Sequence, residues 1–332
     1  MKKLLFLANI QYGQEPTGGG VQTRNQFMLV WLKKKFDVRF FDTWNKLPII
    51  SLISSLFLVI IYKKRLVIVS YGGRGALILM KTLNFIRCKR TIKLFIPGGD
   101  LLGIVKKHDI YDWSCFDEIL VQSKQMVSDL NKQGLSNISY CPNFKIIDYR
   151  PFHKEHQNGD LLRFVYVGRL FEKKGIDILI DACKSLEENF QLTIYGKETE
   201  KYNAGYFDNL NDKRIIYKGY LNLNKKDGYD ELATHDVLIF PTFYSGEGFS
   251  GILIDAFICG LPVIATDMNV NTEIVVDGAT GIIIPPANIK ALSDAMKRFI
   301  KGEVDINMMS KKSYETAICY DINTVLGNVI NG

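Results

Sequence analysis

The sequence predicts an α/β protein of two doubly wound domains, each a parallel sheet with helices on both faces. Three observations carry this. Short apolar runs alternate with longer helical stretches along the whole chain, and parallel strands follow from such alternation because each crossover needs a helix. The 332 residues are 47% hydrophobic and 23% charged, enough for two cores and ordinary for a globular chain. A polar run, Pro151 to Asp160, divides the alternation into two series. The expected layout is therefore a domain over 1–150, a second over 161–310, and a last helical stretch over 311–332.

In the first series, residues 3–9 form a strand. Their apolar run stops at Ile10, short of a signal-peptide core and without a convincing cleavage site. Gly18-Gly19-Gly20 then opens a helix from about Val21 to Lys35. Strands follow at Asp37 to Asp42, Leu66 to Tyr71, Thr91 to Ile96 and Glu118 to Gln122. The span Gly13 to Gly20 lacks Gly-x-Gly-x-x-Gly spacing, which weakens a nicotinamide-dinucleotide reading. Pro48 to Tyr62 is the most apolar stretch, yet it falls short of the roughly 20 residues that span a bilayer. Ser51, Ser54 and Ser55 share one of its faces and Lys63-Lys64-Arg65 follows at once. Such a helix is either sandwiched in a core or dips its apolar side among lipid headgroups. Asp100, after Phe95-Ile-Pro-Gly-Gly, is placed either to take a proton from a substrate hydroxyl or to cap the next helix.

The net charge of +7 is unevenly spread: residues 1–150 hold 23 basic and 10 acidic side chains, a balance of +13, and the remainder carries −6. A basic half seeks nucleic acid, an anionic membrane or an anionic substrate. Six cysteines without a Cys-x-x-Cys pair fit a reducing cytoplasm. His153 and His156 have the spacing of a metal pair but no third ligand nearby, so no metal site is expected.

The second series places strands at Arg163 to Val167, Gln191 to Tyr195, Ile215 to Tyr217, Val237 to Phe240, Pro262 to Ala265 and Gly281 to Ile284. Val167-Gly-Arg-Leu-Phe-Glu-Lys-Lys-Gly175 ends the first of these and opens a helix from Ile176 to Ser185. Arg169 and Lys174 thereby project from a loop at the carboxyl end of the sheet, two cations suited to a diphosphate. Phe240 to Thr266 reads FPTFYSGEGFSGILIDAFICGLPVIAT. Gly246, Gly248 and Gly251 clear side chains from the start of a short helix that Ser250 is placed to cap, so its unpaired amides can face an anion. Glu247 lies in this loop, and Asp255 is one turn beyond Gly251 on the same face. Carboxylates beside a phosphate cradle are wasteful unless they bind hydroxyls, so the stretch reads as a sugar-nucleotide site.

Glu247-Gly-Phe-Ser-Gly251, the acid at Asp255 and Cys259-Gly-Leu-Pro-Val-Ile-Ala-Thr266 resemble the donor-site signature of the family-four retaining glycosyltransferases of the GT-B fold, glycosyl transferases group 1. Gly168-Arg-Leu followed by Lys-Lys-Gly175, Tyr195-Gly196-Lys197 and Lys218-Gly219-Tyr220 extend the likeness, which is specific over 163–320 and topological over 1–150. It implies two Rossmann-like domains facing each other across a cleft, with the last helix returning to the first. It also implies sugar transfer with retention of configuration and without metal or cofactor. Glu247 would hold the donor sugar, while Arg169 and Lys174 would stabilise the departing diphosphate. Gly19, Gly20, Gly168, Gly196, Gly248, Phe249, Ser250 and Gly251 would line the donor site, with Gly219, Tyr220 and Leu221 at the nucleobase and Asp255 at the ribose.

Three departures from the family pattern stand out. Asp255 replaces the usual glutamate, Asn269-Val-Asn-Thr-Glu273 replaces a glycine pair and proline, and no histidine follows the fourth strand, leaving Asp100 as the acceptor-side candidate. The expected donor is a UDP-sugar. The expected acceptor is a lipid-diphosphate-linked glycan at the inner face of a bacterial membrane, as in lipopolysaccharide or capsule synthesis, with no nucleic-acid partner. Two rival readings are a catalytically silent sugar-nucleotide-binding subunit and a nucleotide-sugar epimerase on the same fold.

Overall fold

The computed structural model describes every residue except 15–19, 63–65, 86–90, 99–100, 108–112, 114, 152–154, 158 and 331–332. The chain divides into two units, Met1–Ile146 with Ile322–Gly332, and Ile147–Asp321.

The first unit alternates β1 (Lys3–Ala8), α1 (Gly20–Lys35), β2 (Asp37–Asp42), α2 (Pro48–Ile61), β3 (Leu66–Ser70), α3 (Gly73–Phe85), β4 (Ile92–Phe95), α4 (Leu101–Lys107), β5 (Glu118–Val121), α5 (Lys124–Lys132) and β6 (Ile138–Tyr140). The six strands are parallel in the order β2-β1-β3-β4-β5-β6. Strand periodicity sorts their side chains. Leu5 and Leu7 meet Val67, Val69 and Leu94 on one face, while Leu4, Phe6 and Ala8 meet Ile68, Phe95 and Leu120 on the other. Both faces are covered, which is why these strands read as unbroken apolar runs. The sequence reading lacked β6, three residues long and without an alternation of its own.

The second unit runs β7 (Leu162–Val167), a 3-10 turn (Glu172–Lys174), α6 (Ile176–Lys184), β8 (Phe190–Tyr195), α7 (Ala204–Asp208), β9 (Ile215–Tyr217), α8 (Lys226–Leu232), β10 (Val237–Phe240), α9 (Gly251–Ile258), β11 (Val263–Thr266), α10 (Asn271–Ile274), β12 (Gly281–Ile284), α11 (Ile289–Ile300) and α12 (Ile306–Ala317). Its sheet is again parallel, ordered β12-β11-β10-β7-β8-β9. The order reverses direction between β7 and β10, the topological switch point at whose carboxyl ends doubly wound sheets bind ligands.

The polar run 151–160 is not where the units part. Tyr149 stacks on Tyr229 at 5.2 Å, and Ile147 packs on the second unit's core, so the boundary falls before Ile147. The last stretch, expected as a helix over 311–332, is broken: a 3-10 turn covers Ile318–Tyr320, Asp321 is extended, and α13 (Ile322–Ile330) starts anew. α13 belongs to the first unit. Ile322, Val325, Leu326 and Ile330 enter the core beside α1, Trp31 Nε1 donates to Asn323 Oδ1 at 3.0 Å, and Lys93 Nζ donates to the Val329 carbonyl at 2.6 Å.

Helix α2 turns its serine face to the core and part of its apolar face outward. Ser51 and Ser55 are buried, with Ser55 bonded to the Ser51 carbonyl and to Tyr71 Oη, whereas Ile49, Ile53 and Phe57 are each more than 60% exposed. Lys63, Lys64 and Arg65 lie outside the described residues. No helix among the described residues is long and apolar enough to cross a membrane.

Candidate active site

Two loops of the second unit meet where its strand order reverses. The loop after β7 makes its 3-10 turn and passes through Gly175, whose φ of +81° lies in the left-handed region. A Cβ there would stand 2.2 Å from the Pro241 carbonyl oxygen, so glycine is required twice over. The close approach lets Phe243 N donate to the Lys173 carbonyl at 2.9 Å, and Thr242 Oγ1 donates to the same oxygen at 3.3 Å. Each loop thus fixes the other.

That clasp brings Lys174 and Glu247, 73 positions apart, into a direct ion pair. Their side chains are only 8% and 12% exposed. Burial pulls the Lys174 ammonium below its ordinary value and the Glu247 carboxylate partly offsets this, with nearby Arg169 pulling it down further. Arg169 itself is exposed, its guanidinium 5.4 Å from the Phe171 ring, and its carbonyl accepts from the buried Tyr166 Oη at 2.9 Å. Burial pushes the Tyr166 phenol far above its usual range and Glu247 adds to this, so Tyr166 acts as a neutral donor. The residue expected to hold a sugar and one expected to hold a diphosphate are therefore partners before any ligand arrives. Tyr166 was missed in the sequence, although a tyrosine inside an apolar strand has to find a partner for its hydroxyl.

Three glycines continue the sheet past its strand ends. Gly168 N donates to the Tyr195 carbonyl at 3.0 Å and Gly196 N to the Gly219 carbonyl at 2.7 Å, so the carboxyl ends of β7, β8 and β9 stay laced together. A Cβ on Gly196 would fall 2.4 Å from the Gly168 oxygen. Gly219 takes a φ of +73° and turns the chain so that Tyr220 stands exposed with Lys197 Nζ 5.0 Å from its ring centre, while Leu221 packs on the core.

Around α9 the structure differs from the sequence reading at three residues. Ser250 occupies the N-cap with the extended backbone usual there, but its side chain makes no capping bond. Phe249 points inward, packed edge-on against Tyr320 at 5.5 Å, so only its backbone faces the loop. Asp255 is 3% exposed and accepts from Tyr229 Oη at 2.5 Å. It therefore does not point along the open mouth of the helix. Gly248 and Gly251 are half-buried, Gly251 being the first residue of α9. In the first unit Gly20 is the exposed first residue of α1, and Gly19 and Asp100 lie outside the described residues.

A cavity of about 420 Å³ lies at the opposite, amino-terminal end of this sheet, lined by residues such as His156, Arg163 and Asp236. His156 Nε2 sits 2.6 Å from Asp236 Oδ1, and its backbone amide and carbonyl bond to Asn307, so it fastens the segment before β7. His153 lies outside the described residues. Among the described residues no three of His, Cys, Asp and Glu gather as a metal site would require.

Residues 150–316 match the family model described as glycosyl transferases group 1. The chain belongs to this family. As a group 1 glycosyl transferase it is 29% identical over 193 residues to an uncharacterized glycosyltransferase of Methanocaldococcus jannaschii, covering 56% of this chain and 50% of that one. It is 24% identical over 278 residues to the capsular polysaccharide biosynthesis glycosyltransferase CapM of Staphylococcus aureus, covering 75% and 72%. Several of the relatives it matches are spanned over about half their length or less. The Anabaena protein HepE, solved in complex with UDP, superposes with a TM-score of 0.71 at 14% identity over 100% of this chain and 99% of that one. With it, the two parallel sheets and their helices are a GT-B fold.

Proposed function

We propose that this chain is a retaining glycosyltransferase that moves a sugar from UDP to a hydroxyl of a lipid-linked glycan in bacterial surface-polysaccharide synthesis. The observation that carries the reading is the Lys174–Glu247 pair with Arg169 beside it, at the point where the strand order reverses. Two cations at that place meet the charge that develops on a departing diphosphate, and preorganised charge of this kind is usually the largest contribution to catalysis. Glu247 keeps Lys174 in position until the diphosphate arrives and then binds the donor sugar's hydroxyls. The amides at the start of α9 add partial positive charge on the same side. Tyr220 offers an exposed ring for the base. UDP is taken as the nucleotide because the Anabaena protein binds it, and polysaccharide synthesis because the Staphylococcus relative carries that role.

The first unit takes the acceptor and rests on the inner face of the plasma membrane. The support is α2, whose Ile49, Ile53 and Phe57 face outward, and the +13 balance over residues 1–150, complementary to anionic lipid. Incubating the protein with UDP-sugars and a polyprenyl-diphosphate-linked sugar, followed by mass spectrometry for new products and NMR for their stereochemistry, tests the whole reading. Acceptor-dependent release of UDP with a new glycoside of unchanged anomeric configuration is expected. Conversion of the donor to an epimer, or binding without turnover, would replace the transferase reading with that of an epimerase or a silent subunit.

A further inference from the structure

The first unit reverses its strand order between β1 and β3, and the polar groups gathered at that point include a buried cation that no described residue balances. Arg24, in the second turn of α1, is 3% exposed. Its guanidinium lies 5.5 Å from the ring of Phe95, the last residue of β4, and 5.4 Å from the ring of Phe144. Among the described residues its Nε and both Nη atoms are buried without a hydrogen-bond partner. Cys141 is the titratable group whose charge bears on it, and burial pushes that thiol up to about 11, so it stays neutral and is no counter-ion. Two aromatic faces offset part of the cost of burying this charge, but not its hydrogen bonding.

The neighbouring groups are polar and organised. Asn25 Nδ2 donates to the carbonyl of Asn9, just past β1, and its Oδ1 accepts from Ser70 Oγ at the end of β3, so one side chain ties together the two strands that flank the reversal. Asn9 Oδ1 is itself buried and unpartnered. An unbonded acceptor and an unbonded guanidinium at the carboxyl ends of a doubly wound sheet are costly to fold and useful only to a ligand.

We propose that the first unit carries its own oxyanion site, in which Arg24 binds a phosphate or carboxylate and Asn9 Oδ1 accepts from a hydroxyl beside it. As the seat of the acceptor's anionic group this rests on the transfer reading above; as an oxyanion site it does not. The guanidinium is closed off in the ligand-free chain, so the Arg24 side chain shifts from between its two rings when the anion binds.

The test titrates inorganic phosphate, farnesyl diphosphate and glucuronate into the full chain by calorimetry, with UDP saturating so that Arg169 and Lys174 are occupied. Wild type is compared with Arg24→Met and Arg24→Lys. At least one probe should bind wild type, weaken at least tenfold in Arg24→Met and recover in part in Arg24→Lys, with UDP affinity equal in all three. A diphosphate preference identifies a lipid carrier as the source of the anion, and a glucuronate preference an acidic sugar. Without ligand, Arg24→Met should melt above wild type, because an unbalanced charge has been removed. Affinities within about twofold between wild type and Arg24→Met, no binding of any probe, or a lower melting point for Arg24→Met would each overturn the proposal. If UDP fails to bind wild type, the donor reading falls, and the same comparison without UDP still decides the Arg24 site.

Discussion

Glu247 is a loop carboxylate that the fold commits to Lys174, so removing it costs more than a sugar contact. Breaking a buried pair leaves the other charge uncompensated, at about 3 kcal/mol. Glu247→Gln should therefore abolish turnover and also lower the denaturation midpoint. Because burial holds the remaining Lys174 below its ordinary value of 10.5, the unfolded chain binds that proton more tightly, and the lost stability should return as pH rises toward 10.5. The double variant Lys174→Met with Glu247→Gln should recover most of the stability and none of the activity, as urea denaturation and a UDP-release assay would show. A fully additive double variant would mean that the pair is not coupled. Gly175→Ala is the companion case. Its φ of +81° and the 2.2 Å approach to Pro241 oppose any side chain, so a loss of at least about 2 kcal/mol is expected together with the clasp that forms the pair. Wild-type stability in that variant would show that the two loops are not held as described.

The end of α8 is set by His235, whose Nδ1 lies 3.1 Å from the Glu231 carbonyl and 3.2 Å from the Leu232 carbonyl. Burial lowers its pKa from 6.5, only partly countered by the bond to Leu232. Below pH 6.5 the unfolded chain takes up a proton that the folded chain resists, so stability falls on acidification through that range and rises again with pH. His235→Gln should flatten the acid-side slope of the melting temperature just below pH 6.5; an unchanged slope would assign it to other groups. At α2 the expectation is of the opposite kind. Ile53 and Phe57 are each 61% exposed, so changing both to Gln should alter stability by no more than about 0.5 kcal/mol each, while reducing sedimentation with anionic vesicles. Loss of folding instead would show that this face is covered within the molecule.

Across the whole chain, the +13 balance of residues 1–150 stands against −6 for the rest. Each basic group near an anionic surface contributes about 1 kcal/mol, and this attraction fades beyond a Debye length of roughly 10 Å at 0.1 M salt. Binding to phosphatidylglycerol vesicles should exceed binding to neutral ones, weaken at high salt and drop when Lys63, Lys64 and Arg65 are changed to Ser. Indifference to lipid charge at low salt would remove the membrane from the proposed function.

The sequence by itself determined what depends on neighbours along the chain. The apolar runs at Asp37–Asp42, Ile215–Tyr217, Val237–Phe240 and Gly281–Ile284 fall on strands with the same limits, the glycines at 168, 196 and 219 fall just past strand ends, and Gly175 falls at the start of α6. Such signals survive because turn chemistry and burial on both sheet faces are local requirements. Only the tertiary structure decided which groups meet. Lys174 and Glu247 pair across 73 positions, Asp255 sinks against Tyr229, Phe249 turns toward Tyr320, and α2 puts its serines inward. None of these follows from periodicity, because a helix or loop with two usable faces buries the one its neighbours can match. For Ser55 that neighbour is the hydroxyl of Tyr71, and for Arg24 it is the pair of rings from Phe95 and Phe144.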